Sequence, residues 1–137
     1  MFLDIDKKDN ERPAALSYNG SRITYGELVK CINDIQSVIG TRKLVFIMCN
    51  NRIASLAGYV GMLGSKNVPL LLSSELDGEL LQYLLKTYKP DHIWCPLDVK
   101  DNILPIIKGV FDNENVGKNI YKYDDFELLN CSDRKST

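Results

Sequence analysis

Few side chains in this sequence are of a type and spacing that could do chemistry. The single histidine, His92, could act as a general base, because an imidazole ordinarily titrates near neutral pH. It leads instead into Ile93-Trp94-Cys95 with no serine-nucleophile motif beside it, which favours a sheet or surface residue over a catalyst. The four cysteines, at 31, 49, 95 and 131, are widely separated and form no Cys-x-x-Cys pair, so neither a metal site nor a redox pair is supported. Cys31, Cys49 and Cys95 fall inside apolar patterns, where a free thiol behaves as a small hydrophobe. Gly58, Gly61 and Gly64 recur every third residue, but a phosphate cradle needs Gly-x-Gly-x-x-Gly after a strand, or Gly-x-x-x-x-Gly-Lys-Ser/Thr. Helix packing is the expected role of these glycines.

Paired acids could hold Mg²⁺, and two candidates stand out: Asp124-Asp125 and Asp98-x-x-Asp101. Both lie at expected element ends, where carboxylates cap helices or face water. A phospho-acceptor receiver would place acids at its strand ends, which here read Asn50-Asn51 and Ser73-Ser74. Asn50, Asn51, Arg52, Ser73 and Ser74 would line the carboxyl edge of a parallel sheet, the place to look for a ligand in a flavodoxin-like binder. They are also ordinary turn and capping residues. The sequence therefore assigns no catalytic, cofactor-binding or metal-binding residue.

The elements that would position these groups follow from the apolar pattern. With 137 residues, 45% of them apolar, the chain can bury one core. Seventeen basic against eighteen acidic residues give a formal charge of −1, without the positive excess that nucleic-acid binding requires. No apolar run approaches the roughly 20 residues of a membrane span, and Met1-Phe2-Leu3-Asp4 lacks the basic flank of a signal peptide, so a cytoplasmic protein is expected.

After a polar lead-in (residues 1–13), Asn19-Gly20 between Ala15-Leu16-Ser17-Tyr18 and Arg22-Ile23-Thr24-Tyr25 predicts a tight hairpin. Thr24-x-x-Glu27 is a capping box, with Ile23 and Leu28 at the hydrophobic-staple positions. Leu28, Ile32, Ile35 and Ile39 then predict a helix ending at Gly40. Leu44 to Cys49 is an unbroken apolar run, the pattern of a strand buried on both faces. Asn50 and Asn51 end it and can cap a helix rich in small residues.

Val68-Pro69-Leu70-Leu71-Leu72 predicts a strand, and Ser74-x-x-Asp77 a helix start with Pro90 as its stop. His92 to Cys95 predicts a strand, Asp98 to Val110 a helix interrupted or started late by Pro105, and Asn119 to Tyr123 a last strand. This alternation predicts an α/β fold: a mainly parallel sheet with helices on both faces, preceded by a short hairpin. Residues 14–125 are expected to form one subdomain and residues 126–137 a loose tail.

Arg22-Ile23-Thr24-Tyr25-Gly26-Glu27-Leu28 resembles Leu-Thr-Tyr-x-Glu-Leu, which opens the first conserved helix of the AMP-forming adenylating superfamily of acyl-CoA synthetases, peptide-synthetase adenylation domains and luciferases. Met48-Cys49-Asn50-Asn51 resembles that superfamily's strand ending in Pro-Asn. Met62-Leu63-Gly64-Ser65-Lys66-Asn67-Val68-Pro69-Leu70 looks like a degenerate copy of its Leu-Lys-Ala-Gly-Ala helix end and Val-Pro-Leu strand, with Ser65-Lys66-Asn67 departing from the small residues. Leu80-Leu81-Gln82-Tyr83-Leu84-Leu85 matches the following Leu-x-Tyr-x-Leu helix. The resemblance covers about Pro13 to Cys95, and its motifs are structural.

What the resemblance implies is a parent enzyme that uses ATP and Mg²⁺ to convert a carboxylic acid to an acyl-adenylate, which then passes to coenzyme A or a carrier-protein thiol. The Thr-Ser-Gly-Ser/Thr-Thr-Gly-x-Pro-Lys phosphate loop is expected soon after a strand like Ile120 to Tyr123, and neither it nor the lysine of the small C-terminal domain is in this sequence. The chain alone is therefore expected to bind no cofactor and to be inactive, with the remainder of the adenylating enzyme as its partner. The alternative is a stand-alone interaction module or split-enzyme subunit with the same core.

Overall fold

The computed structural model describes residues 13–16, 22–50 and 53–131. Two short strands, β1 (Pro13–Leu16) and β2 (Arg22–Thr24), pair antiparallel, with Ala15 opposite Ile23. The Asn19-Gly20 turn expected between them, the lead-in before Pro13 and the packing of Ile23 lie outside what is described. Helix α1 (Tyr25–Ile39) begins on the capping box: Glu27 N–H donates to Thr24 Oγ1 at 3.1 Å, and Thr24 N–H donates to Glu27 Oε1 at 3.2 Å. It stops at Gly40, whose φ of 75° lies where a side chain would be strained.

There follow β3 (Leu44–Cys49), α2 (Ile53–Gly64), β4 (Val68–Ser73), α3 (Gly78–Tyr88), β5 (His92–Pro96), α4 (Leu97–Val110), β6 (Asn119–Tyr123) and β7 (Phe126–Asn130). Two details differ from the sequence reading. Asp77 rather than Ser74 is the N-cap of α3, its carboxylate accepting from Leu80 N–H. Helix α4 runs unbroken through Pro105, which occupies an exposed position.

The α/β class stands, with a five-stranded mixed sheet in the order β4-β3-β5-β7-β6. Strands β3, β4 and β5 pair parallel, whereas β7 lies antiparallel between β5 and β6. The expectation of a loose tail over residues 126–137 is corrected for its first part: Phe126–Asn130 is an interior strand whose first four residues are buried. Its charged member, Glu127, is held by a 2.6 Å ion pair from Lys100 on α4. That partner is 27 residues away, so nothing local in the sequence announces it. Residues 132–137 lie outside the described set.

Alternation along each strand sorts the core into two layers. Val45, Ile47, Trp94, Phe126 and Leu128 pack with Ile35 and Ile39 of α1 and with Ala54 and Met62 of α2. Phe46, Met48, Ile93 and Cys95 face Leu81 and Leu85 of α3 and Ile103 and Ile107 of α4 on the opposite side. The glycines of α2 act through close approach. A Cβ on Gly58 would overlap the Trp94 indole, and Cβ atoms on Gly61 and Gly64 would meet the methyl ends of Ile35 and Ile32 on α1. Trp94 Nε1 donates to the Ala54 carbonyl at 2.9 Å, which fixes the ring under the helix.

The two obstructions differ in kind, since a rigid indole cannot yield but an isoleucine methyl can rotate. Gly58→Ala should therefore cost about 2 kcal/mol by overpacking. Gly61→Ala should cost less, because the roughly 1 kcal/mol of helix propensity that either change gains is opposed at 61 only by a methyl end that can move aside. Urea unfolding of both variants checks the order, and equal stabilities would refute it.

Candidate functional site

In an open α/β sheet, ligands are sought first at the carboxyl edge, where the strand order reverses. Here that switch lies between β3 and β5. Asn50 N–H donates to Ser55 Oγ at 2.9 Å, and Ser55 Oγ donates to Asn50 Oδ1 at 3.0 Å, closing the turn into α2. Ser74 N–H donates to the Cys49 carbonyl at 2.9 Å, and Glu75 N–H to Ser73 Oγ at 3.1 Å. The polar groups of Asn50 and Ser73 thus serve local turns, while the Ser74 N–H extends the pairing of β4 with β3. Asn51 and Arg52 lie outside the described residues.

The other candidates separate across the fold. Asp98 sits in the first turn of α4, as a helix-capping carboxylate would. Asp124 and Asp125 do not flank a helix but form the two-residue turn between β6 and β7, with Asp124 at a φ of 54°. Among the described residues, no three His, Cys, Asp or Glu side chains come together as a metal site. Nor is any helix among them long and apolar enough to cross a membrane. The four cysteines are unpaired, and burial raises every one of their thiols, Cys95 to about 12. At neutral pH they are protonated and poor nucleophiles.

His92 opens β5 opposite Asn130 of β7 and is 8% exposed. Burial lowers it to about 4, with the Asp91 charge opposing and the Lys43 charge adding to the effect. The imidazole is therefore neutral at pH 7, and its Nδ1 is buried without a hydrogen-bond partner.

His92 lines a further feature that sequence reasoning missed, a cleft of about 360 Å³ at the amino edge of β3 and β5. Two cations, Lys43 and Lys118, line it together with the carboxamides of Asn115 and Asn130. Its apolar side comes from Val38 and Ile39 of α1 and Ile120 of β6. These residues are scattered over most of the chain, and each reads singly as a surface or core residue. The segment carrying Asn115 and Lys118 is tied to β7: Gly117 N–H donates to the Asn130 carbonyl at 2.7 Å, and Asn130 N–H to the Lys118 carbonyl at 2.9 Å.

A buried neutral histidine makes stability depend on pH. Its pKa is lower folded than unfolded, so the unfolded chain takes up the proton first. Stability is full above about pH 6.5 and is lost as pH falls toward 4, by up to about 3 kcal/mol. His92→Gln, which cannot titrate, should flatten the difference in urea midpoint between pH 7.5 and 4.5 relative to the unmodified chain. Parallel pH profiles would show that His92 is not the group responsible.

No protein-family model matches the sequence, and no curated protein matches it either. The fold, however, is similar to that of MatB from Rhodopseudomonas palustris. Against the apo crystal structure the identity is 22% and the TM-score 0.63, over 77% of this chain and 22% of that chain. Against the ATP-bound form the values are 23% and 0.60, with the same coverage. The chain thus spans 22% of the length of MatB, and at this identity the likeness establishes a shared fold over that stretch.

Proposed function

We propose that this chain forms the N-terminal scaffold of an ATP-dependent, AMP-forming acid–thiol ligase, acyl-CoA synthetase-like or an adenylation domain, and contributes structure rather than chemistry. One observation carries the reading: over 77% of this chain the fold is similar to that of MatB, one of whose crystal structures is ATP-bound. The motifs from Arg22 to Trp94 support it, because they fall on β2, the start of α1, the end of β3, β4, α3 and β5 in the order the resemblance requires. ATP and Mg²⁺ would be bound by the rest of the ligase, which would also take the carboxylic acid and the coenzyme A or carrier thiol. The site that activates the acid needs a phosphate cradle and a charge-stabilising lysine. Among the described residues at the carboxyl edge of β3 and β4, Asn50 and Ser73 are engaged in turns.

A second reading, an interaction module or split-enzyme subunit, is favoured by the apolar surface on α3 and the edge strand β4. Tyr83 and Tyr88 on α3 are 62% and 52% exposed, and Val68 and Leu71 on β4 are 57% and 52% exposed. An edge strand with exposed apolar side chains is a ready template for a covering partner. Under the first reading it is the remainder of the same ligase, and under the second a separate protein.

Two measurements test the ligase reading. Reading the gene beyond Thr137 should reveal a Ser/Thr/Gly-rich phosphate loop ending in lysine. The isolated chain with ATP, Mg²⁺ and a panel of carboxylic acids should give no ATP–pyrophosphate exchange. A stop codon without any adjoining phosphate-loop segment would overturn the parentage, and exchange by the chain alone would overturn the scaffold role.

A further inference from the structure

The geometry points to the cleft at the amino edge of β3 and β5 as a binding site for a small anion bearing an apolar group, a phosphate monoester or a carboxylate on a short hydrocarbon body. The inference does not rest on the ligase reading. Its first support is charge. Lys43 and Lys118 line one cleft, and among the described residues no carboxylate lines it with them. The Lys118 ammonium donates to Asn115 Oδ1, a neutral partner, at 3.1 Å. Two lysines lining one concave site favour an anion there.

The second support is an unmet hydrogen bond. His92 lines the same cleft, is more than nine-tenths buried and keeps Nδ1 without a partner. A buried polar atom without a partner calls for an explanation, and a ligand seated over the ring is one.

Shape and rigidity supply the rest. A volume of about 360 Å³ is at the small end of ligand pockets and suits a body of one ring or a short chain. Ile39 is buried, and with Val38 and Ile120 it gives that body an apolar surface to cover. The polar side is fixed before any ligand arrives. Asn130 Nδ2 donates to the Asn115 carbonyl at 3.3 Å, and Asn113 Nδ2 donates to the Cys131 carbonyl at 2.9 Å, so the segment carrying Lys118 is fastened to β7. Preorganisation of this kind reduces the ordering cost of binding.

Amide NMR of the full chain, titrated separately with phenyl phosphate, benzoate and inorganic phosphate, tests the site. Phenyl phosphate or benzoate should shift the resonances of Asn115, Lys118, Ile120 and Asn130 saturably, and inorganic phosphate, without the ring, should bind more weakly. The stronger of the two aromatic probes identifies the head group as phosphate or carboxylate. The double substitution Lys43→Gln with Lys118→Gln should weaken binding by at least about tenfold, as should about 1 M NaCl on the unmodified chain, because both remove the same attraction. Circular dichroism confirms that the double variant is folded. No saturable shift with any probe would overturn the proposal, as would an affinity unchanged by both the double variant and salt.

Discussion

The indole of Trp94 is the interaction on which the arrangement of the sheet and its first helical layer depends. It lies in the middle of β5, donates its one N–H to the Ala54 carbonyl of α2 and fills the space that Gly58 leaves open. Its other neighbours are Phe126 of β7, with ring centroids 5.7 Å apart, and Tyr121 of β6 at 6.0 Å. One side chain therefore sets the depth of α2 over the sheet and the position of the antiparallel hairpin beside β5. Tyr121 extends the chain of contacts to α1 through a 3.4 Å hydrogen bond from its hydroxyl to Asp34. A buried tryptophan needs a partner for its N–H, and a helix carbonyl is within reach only because no side chain at position 58 holds the helix away.

A second set of contacts fixes the amino edge of the strands. Asn67 Nδ2 donates to the Gly40 carbonyl and to Ser65 Oγ, each at 2.9 Å, while its Oδ1 accepts from Lys43 N–H at 2.8 Å. Ser65 Oγ in turn donates to the Gly61 carbonyl at 2.7 Å. The end of α1, the end of α2 and the start of β3 are thus joined by two buried polar side chains, Ser65 and Asn67. These are residues at which the sequence departs from the small-residue pattern of the adenylating superfamily. The departure has a structural reason, because each satisfies backbone groups that small apolar residues would leave to other partners. Asp91 does the same on the neighbouring strand, accepting from Leu44 N–H at 2.9 Å.

Much of this fold was legible because its first two-thirds is built from local signals. The capping box at Thr24, the helical period to Ile39 and the apolar run from Leu44 each specify their element within a few residues. The strand at Phe126–Asn130 was not legible. Its run is short, it follows an acidic pair, and its glutamate is acceptable in a buried strand only because Lys100 reaches it from α4. Missing it also hid the antiparallel half of the sheet, since β6 alone reads as one more parallel strand. The cleft escaped for a related reason. Lys43, His92, Asn115, Lys118 and Asn130 meet only through the strand order, and no spacing along the chain encodes their proximity.

Strand direction also decides which edge of the sheet has groups to spare. In an all-parallel sheet, every strand presents its carboxyl end on one side, and loops there collect the ligand. Insertion of β7 in the opposite sense carries its carboxyl end, Asn130, to the amino edge of β5, directly opposite His92. The segment between α4 and β6 arrives at that same edge, since β6 runs antiparallel to β7, and it brings Asn115 and Lys118 with it. At the carboxyl edge, the corresponding space beside β5 is taken by the tight Asp124-Asp125 turn, whose Asp125 carbonyl accepts from Leu97 N–H at 2.8 Å to fasten the start of α4. The antiparallel hairpin thus closes the carboxyl edge beyond β5, and brings a cation and two carboxamides to the amino edge beside His92.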